Sequence, residues 1–132
     1  MKNIQSLLAL LCLLVISGCA STRKEPLKAY LGSTLPFGEA DVEGWRYDLV
    51  SSTRTFSISF SKGGYAPAII GSGNVLAAPA YRWKIDEDRC LIISDDEGPM
   101  AAYQLISATR ATVSVWDKVG GNTEVFTRKK ES

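Results

Sequence analysis

Phe56-Ser57-Ile58-Ser59-Phe60 is apolar at every even position and polar at every odd one. Successive side chains of a strand point to opposite faces of its sheet, so a period of two describes a strand with one face in a core and the other in water. The same alternation precedes it in Trp45-Arg46-Tyr47-Asp48-Leu49 and follows it in Tyr81-Arg82-Trp83-Lys84-Ile85. Working outward, strands are predicted from Arg89 to Ser94, Ala101 to Ile106, Ala111 to Trp116 and Thr123 to Arg128, all rich in Ile, Val, Thr or aromatic residues. Beyond Gly44 no segment keeps a helical period.

The breaks between these runs carry turn chemistry. Lys62-Gly63-Gly64, Gly71-Ser72-Gly73-Asn74, Asp86-Glu87-Asp88, Asp95-Asp96-Glu97-Gly98 and Gly120-Gly121-Asn122 supply glycine for positive φ, or Asp and Asn that bond their own backbone. Such short connections imply hairpins, and successive hairpins make a meander. The expected fold is all-β, an antiparallel meander of seven to eight strands, and closing it into a small barrel removes both sheet edges. Tyr65 to Ala80, interrupted by Pro67, Gly71, Gly73 and Pro79, is expected as one bent hairpin. Trp45, Phe56, Phe60, Tyr81, Trp83 and Trp116 are expected to fill most of the interior.

Ahead of the strands the chain has the layout of an export signal: Lys2, an apolar run from Leu7 to Ile16, then small residues at Ser17 and Gly18. Ten apolar residues span about 15 Å as a helix, half the thickness of a bilayer core, so the run is too short for a permanent transmembrane helix. Ile16-Ser17-Gly18-Cys19 resembles the bacterial lipobox. That resemblance implies cleavage before Cys19, a diacylglyceryl thioether on its sulfur and acylation of the new amino group. Two or more acyl chains anchor a protein almost permanently, one only marginally. With Ala20, not Asp, after the lipid site, the resemblance points to the outer membrane and its periplasmic face. The expected organisation is signal peptide 1–18, lipidated cysteine and tether 19–43, and β-barrel domain 44–132.

Composition narrows the chemistry. Removing the signal takes Lys2 from the 15 basic residues and leaves them equal to the 14 acidic ones, so there is no basic footprint for nucleic acid. Arg128-Lys129-Lys130 beside Glu131 is expected as a solvated end. The chain has no histidine, which removes Ser-His-Asp and Cys-His nucleophiles and His-ligated zinc. The acidic clusters at 86–88 and 95–97 lie at opposite ends of one strand, lack calcium-loop spacing, and read as solvated turns. No cofactor and no metal is expected, and an enzymatic role is not. Cys12 falls in the signal and Cys19 at the lipid site, which leaves Cys90, beside Leu91-Ile92-Ile93, as a buried thiol.

Gly44-Trp45, Phe60-Ser61-Lys62-Gly63-Gly64, Tyr81-Arg82-Trp83-Lys84-Ile85, Leu91-Ile92-Ile93-Ser94-Asp95, Tyr103-Gln104-Leu105-Ile106 and Phe126-Thr127-Arg128 follow one another in an order that resembles small bacterial lipocalin-like lipoproteins. The resemblance spans Gly44 to Arg128 and implies a lipocalin-like barrel serving as a binding domain for a small apolar ligand or a periplasmic protein. If a pocket forms, Tyr47, Tyr81, Trp83 and Tyr103 are its expected lining, aromatic walls with hydroxyls to fix orientation. A different class of role, an inhibitor or immunity lipoprotein against an envelope-acting enzyme or toxin, would act through the loops 63–67 or 118–122; a third is a structural assembly factor.

Overall fold

Alternation becomes strand at nearly every predicted position. In the computed structural model, which describes residues 27–131, the strands are β1 (Trp45–Leu49), β2 (Arg54–Ser59), β3 (Tyr65–Ser72), β4 (Val75–Ala77), β5 (Ala80–Ile85), β6 (Leu91–Asp95), β7 (Gly98–Ala108), β8 (Thr112–Asp117) and β9 (Asn122–Lys130). One 3-10 turn, Glu39–Asp41, is the sole helical element among the described residues. The signal peptide, the lipobox and Cys19 lie outside the described residues.

All pairings are antiparallel, in the order β2-β1-β9-β8-β7-β6-β5-β3-β4, and β2 also pairs with β3. That extra pairing, Phe56 opposite Ile70 and Ile58 opposite Ala68, closes an eight-stranded barrel and leaves β4 outside the ring. Closure gives every barrel strand a partner on each side, whereas β4 pairs on one side only. The 65–80 segment forms more than a bent hairpin. The upper half of β3 pairs with β4 and the lower half with β5, so near Ala68, whose amide donates to Pro79 O, β4 takes the place of β5 beside a strand that stays paired with β2.

The turn from β2 to β3 needs glycine for a local reason. Gly63 and Gly64 have φ of +89° and +84°, and a Cβ on Gly64 would stand 3.2 Å from the carbonyl oxygen of Trp83. That close approach lets the Gly64 carbonyl accept from Trp83 N at 2.9 Å, tying the turn to β5.

One end of the barrel is sealed. Residues 35–44 cross it, with Leu35 N bonded to Leu105 O, Phe37 N to Arg89 O, and Gly44 N to Phe60 O. Phe37 and Val42 have no exposed surface beneath the strands. Arg128, expected as a solvated residue, points inward and locks this base. Its Nε and Nη2 donate to Thr109 O, its Nη1 to Asp41 O, and its guanidinium stacks 4.6 Å from the Trp45 ring. The inward period of β9 runs Phe126, Arg128, Lys130, so the arginine follows the phenylalanine into the core.

Above the base a train of rings fills the lower barrel: Trp83 against Phe60, Phe60 against Tyr47, Tyr47 against Phe126, and Phe126 against both Phe56 and Tyr103, with centroids 5.0–6.2 Å apart. Edge-on and tilted pairs of this kind add about 0.5–1.5 kcal/mol each beyond their buried area. Trp116 departs from expectation. It lies on the outer face, because Val113 and Val115 take the inward positions of β8. There it packs against Tyr30 at 5.6 Å and donates from Nε1 to Lys28 O at 2.6 Å.

Those contacts reveal the path of the segment preceding β1. Lys28 N donates to Lys118 O in the β8–β9 loop, Tyr30 N to Gln104 Oε1, and the chain then descends the outside of β7 and β8 to the base. Residues 28–43 are thus fastened to the barrel, and the chain enters the domain at the end opposite the seal.

Candidate functional site

The end opposite the seal is open. There the upper part of β3, paired on one side with β2, carries β4 on its other side, and the β3–β4 hairpin forms a lip at the mouth. Between this lip and the barrel lies a cup of about 720 Å³ lined by Phe56, Ile70, Val75, Ala77, Tyr81 and Met100, with Thr53 to Thr55 and Gly71-Ser72 on its rim. Inward parity explains the set: Phe56 on β2, Ile70 on β3 and Tyr81 on β5 each point into the barrel, and the aromatic packing below supplies a floor. An apolar concavity of this size is in the range of small-molecule sites.

Beside the cup, on the β7–β8–β9 side of the mouth, is a second and smaller cavity of about 110 Å³. Its wall contains Leu49, Phe56, Ala101, Phe126 and four groups with polar ends: Arg54, Tyr103, Asp117 and Glu124. The two spaces share Arg54, Phe56 and Met100. The Arg54 guanidinium reaches across β1 to Glu124 Oε1 at 2.6 Å, and Asn122 Nδ2 donates to the same oxygen at 2.8 Å. Asp117 Oδ1 accepts from the amides of Ala102 and Val119, which fixes the carboxylate at the start of the β8–β9 loop. Tyr103 is only 5% exposed and its hydroxyl makes no hydrogen bond among the described residues. Burial, with the charges of Asp117 and Glu124, pushes that phenol far above its ordinary range, so it stays protonated.

Of the four residues expected to line a pocket, the structure brings two to the mouth. Tyr81 lines the cup and Tyr103 the small cavity. Tyr47 and Trp83 belong to the lower core and line neither space. The Tyr47 hydroxyl donates to Asp41 O at the base, and Trp83 Nε1 donates to Ser61 O at 2.8 Å in the β2–β3 turn. Burial, partly offset by Arg128, pushes the Tyr47 phenol up to about 12.

Sequence reading passed over Arg54, Asp117 and Glu124. Each sits in phase with apolar inward residues of its own strand: Arg54 with Phe56 and Ile58, Asp117 with Val113 and Val115, and Glu124 with Phe126. A charge at an inward position, at a strand end as for Arg54 and Asp117 or two residues from it as for Glu124, is the signal that marks a barrel rim.

The remaining candidates resolve as structure. Asp86 Oδ1 caps the amide of Cys90, and Asp95 Oδ1 that of Glu97, so both acidic clusters are turns. Among the described residues no group of His, Cys, Asp or Glu is arranged to hold a metal ion. Cys90 is buried outside the ring with Ile92, Ala102 and Val119, and burial pushes its thiol up. The loop 118–122 is held by Lys28, and Tyr65 to Pro67 form strand β3. No known family, curated protein or solved structure matches the chain.

Proposed function

We propose that this chain is a lipid-anchored envelope protein that binds a small apolar molecule in the mouth of its barrel and performs no catalysis. The observation that carries the reading is the open apolar cup of about 720 Å³ over a solid aromatic floor, at one end of a barrel whose other end is sealed. Absence of histidine from the whole sequence agrees with a binding role. The two loops that would serve an inhibitor are committed to the barrel or to Lys28, which favours the mouth as the recognition surface.

The anchor rests on Leu14-Val15-Ile16-Ser17-Gly18-Cys19 and Ala20, which together support placement in the outer membrane through acyl chains on Cys19. The path of the chain gives that anchor a direction. Lys28 is bonded to the mouth-end loop, and the nine residues from Cys19 to Lys28 reach at most about 30 Å when fully extended. A protein tethered this way would carry its mouth on the membrane side, where apolar molecules partition.

Membrane fractionation of the wild type and Cys19→Ala tests the anchor: the variant should leave the membrane fraction, and an unchanged distribution would remove the lipid from the account. For the cup, the test is binding of a short aliphatic alcohol to the full chain and to Ile70→Trp, which fills the space. Equal binding by both proteins would place the ligand elsewhere.

A further inference from the structure

The small cavity beside the cup has a chemical preference of its own. It holds one cation, Arg54, and two anions, Asp117 and Glu124, and so carries an excess negative charge. The cation is already spent, because Arg54 is paired with Glu124 Oε1. Asp117 uses Oδ1 on two backbone amides, and among the described residues the bonds to Glu124 fall on Oε1 and leave Oε2 open. Into the same space opens Tyr103, a residue 5% exposed whose hydroxyl makes no hydrogen bond among the described residues. A phenol oxygen that faces such a space can accept a hydrogen bond from a donor that enters it.

We propose that the mouth takes a long-chain primary amine, with the apolar tail in the cup between Phe56, Ile70, Tyr81 and Met100 and the ammonium head in the adjoining cavity, held by Glu124 and Tyr103. This rests on the reading of the cup as a ligand site. Three features fit the head. A cavity of about 110 Å³ has room for a compact ammonium and a few waters, each water filling about 30 Å³. An ammonium brings three donors and no acceptor, matching a carboxylate oxygen and a phenol oxygen. A carboxylate head would face two anions with the lone guanidinium already engaged. The two spaces adjoin through Arg54, Phe56 and Met100, so one molecule with its tail on the β2–β3 side and its head on the β8–β9 side occupies both.

The test uses the full chain in phosphatidylcholine vesicles, with methionine methyls carbon-13 labelled. The sequence has two methionines, Met1 and Met100, so the Met100 signal reports the mouth directly. Octylamine, octanol and octanoate are titrated separately at neutral pH. Octylamine should bind at least about ten-fold more tightly than octanoate, the scale of one charge-assisted hydrogen bond. Glu124→Gln should erase that preference, and Tyr103→Phe should weaken octylamine several-fold while leaving octanol within about two-fold. Far-ultraviolet circular dichroism of both variants checks that they remain folded. Equal binding of all three ligands would leave the cup standing and overturn the head-group assignment, as would tighter binding of octanoate. Binding of none would overturn the cup itself.

Discussion

Phe126→Ala tests the barrel interior at its most connected point. Phe126 is 1% exposed and touches the rings of Tyr47, Phe56 and Tyr103 at 5.8, 6.2 and 5.6 Å, so it joins the base of the core to the floor of the mouth. Truncating a buried phenylalanine costs about 3–5 kcal/mol from lost transfer energy and the void left behind. Here the void would open into the cavity that Phe126 already lines, where the Tyr103 hydroxyl and Glu124 offer partners to entering water. Hydration relieves part of the cost, which places the expected loss near the lower end, about 3 kcal/mol. For a domain of this size that corresponds to a fall in Tm of roughly 12 °C. Urea unfolding of wild type, Phe126→Ala and Ile69→Ala measures it, with Ile69 serving as an outward strand residue that is 49% exposed. Ile69→Ala should cost below about 1 kcal/mol. A loss under about 1 kcal/mol for Phe126→Ala, or equal losses for both variants, would refute the packed floor.

Three more outcomes follow from particular contacts. Tyr47 keeps its proton to about pH 12 in the fold but to about 10 in the unfolded chain, so unfolding releases protons in that window. The stability it contributes is whole below pH 10 and declines by about 3 kcal/mol as pH rises to 12; urea melts across that range should show Tyr47→Phe losing less than wild type, and parallel curves would contradict the assignment. Gly64→Ala puts a side chain at φ +84° with its Cβ against the Trp83 carbonyl, and should lower stability by about 1–2 kcal/mol in thermal melts. Arg54→Met breaks an ion pair whose arginine side chain is 52% exposed, so its effect on chemical unfolding should stay below about 1 kcal/mol; a larger loss would make the rim pair structural.

Strand positions were legible because barrel walls impose a period of two on residues that pack inward, and Tyr47, Ile58, Trp83, Val113, Val115 and Phe126 all obey it. Trp116 misled because size alone suggested burial, whereas its phase with Ser114 places it outside. Arg128 misled in the opposite sense: proximity to the chain end suggested solvent, yet its phase with Phe126 carries it into the base. The mouth was half legible. Tyr81 and Tyr103, chosen for their chemistry, stand at the mouth, but which end of the barrel lies open depends on where residues 35–44 cross, and Phe37 N to Arg89 O is a contact no local pattern announces. The branching of β3 between β4 and β5, which raises the lip of the cup, was masked by the prolines and glycines from Pro67 to Pro79.

Binding at the mouth requires an open apolar cup there and a closed opposite end. Methyl spectra of the full chain, labelled at methionine and isoleucine and titrated with octanol in phosphatidylcholine vesicles, test it most directly. Saturable shifts are expected at the methyls of Met100 and Ile70, which line the cup, and none at Ile58, buried in the core. Unmoved Met100 and Ile70 signals at saturating ligand, or shifts confined to Ile58, would contradict it.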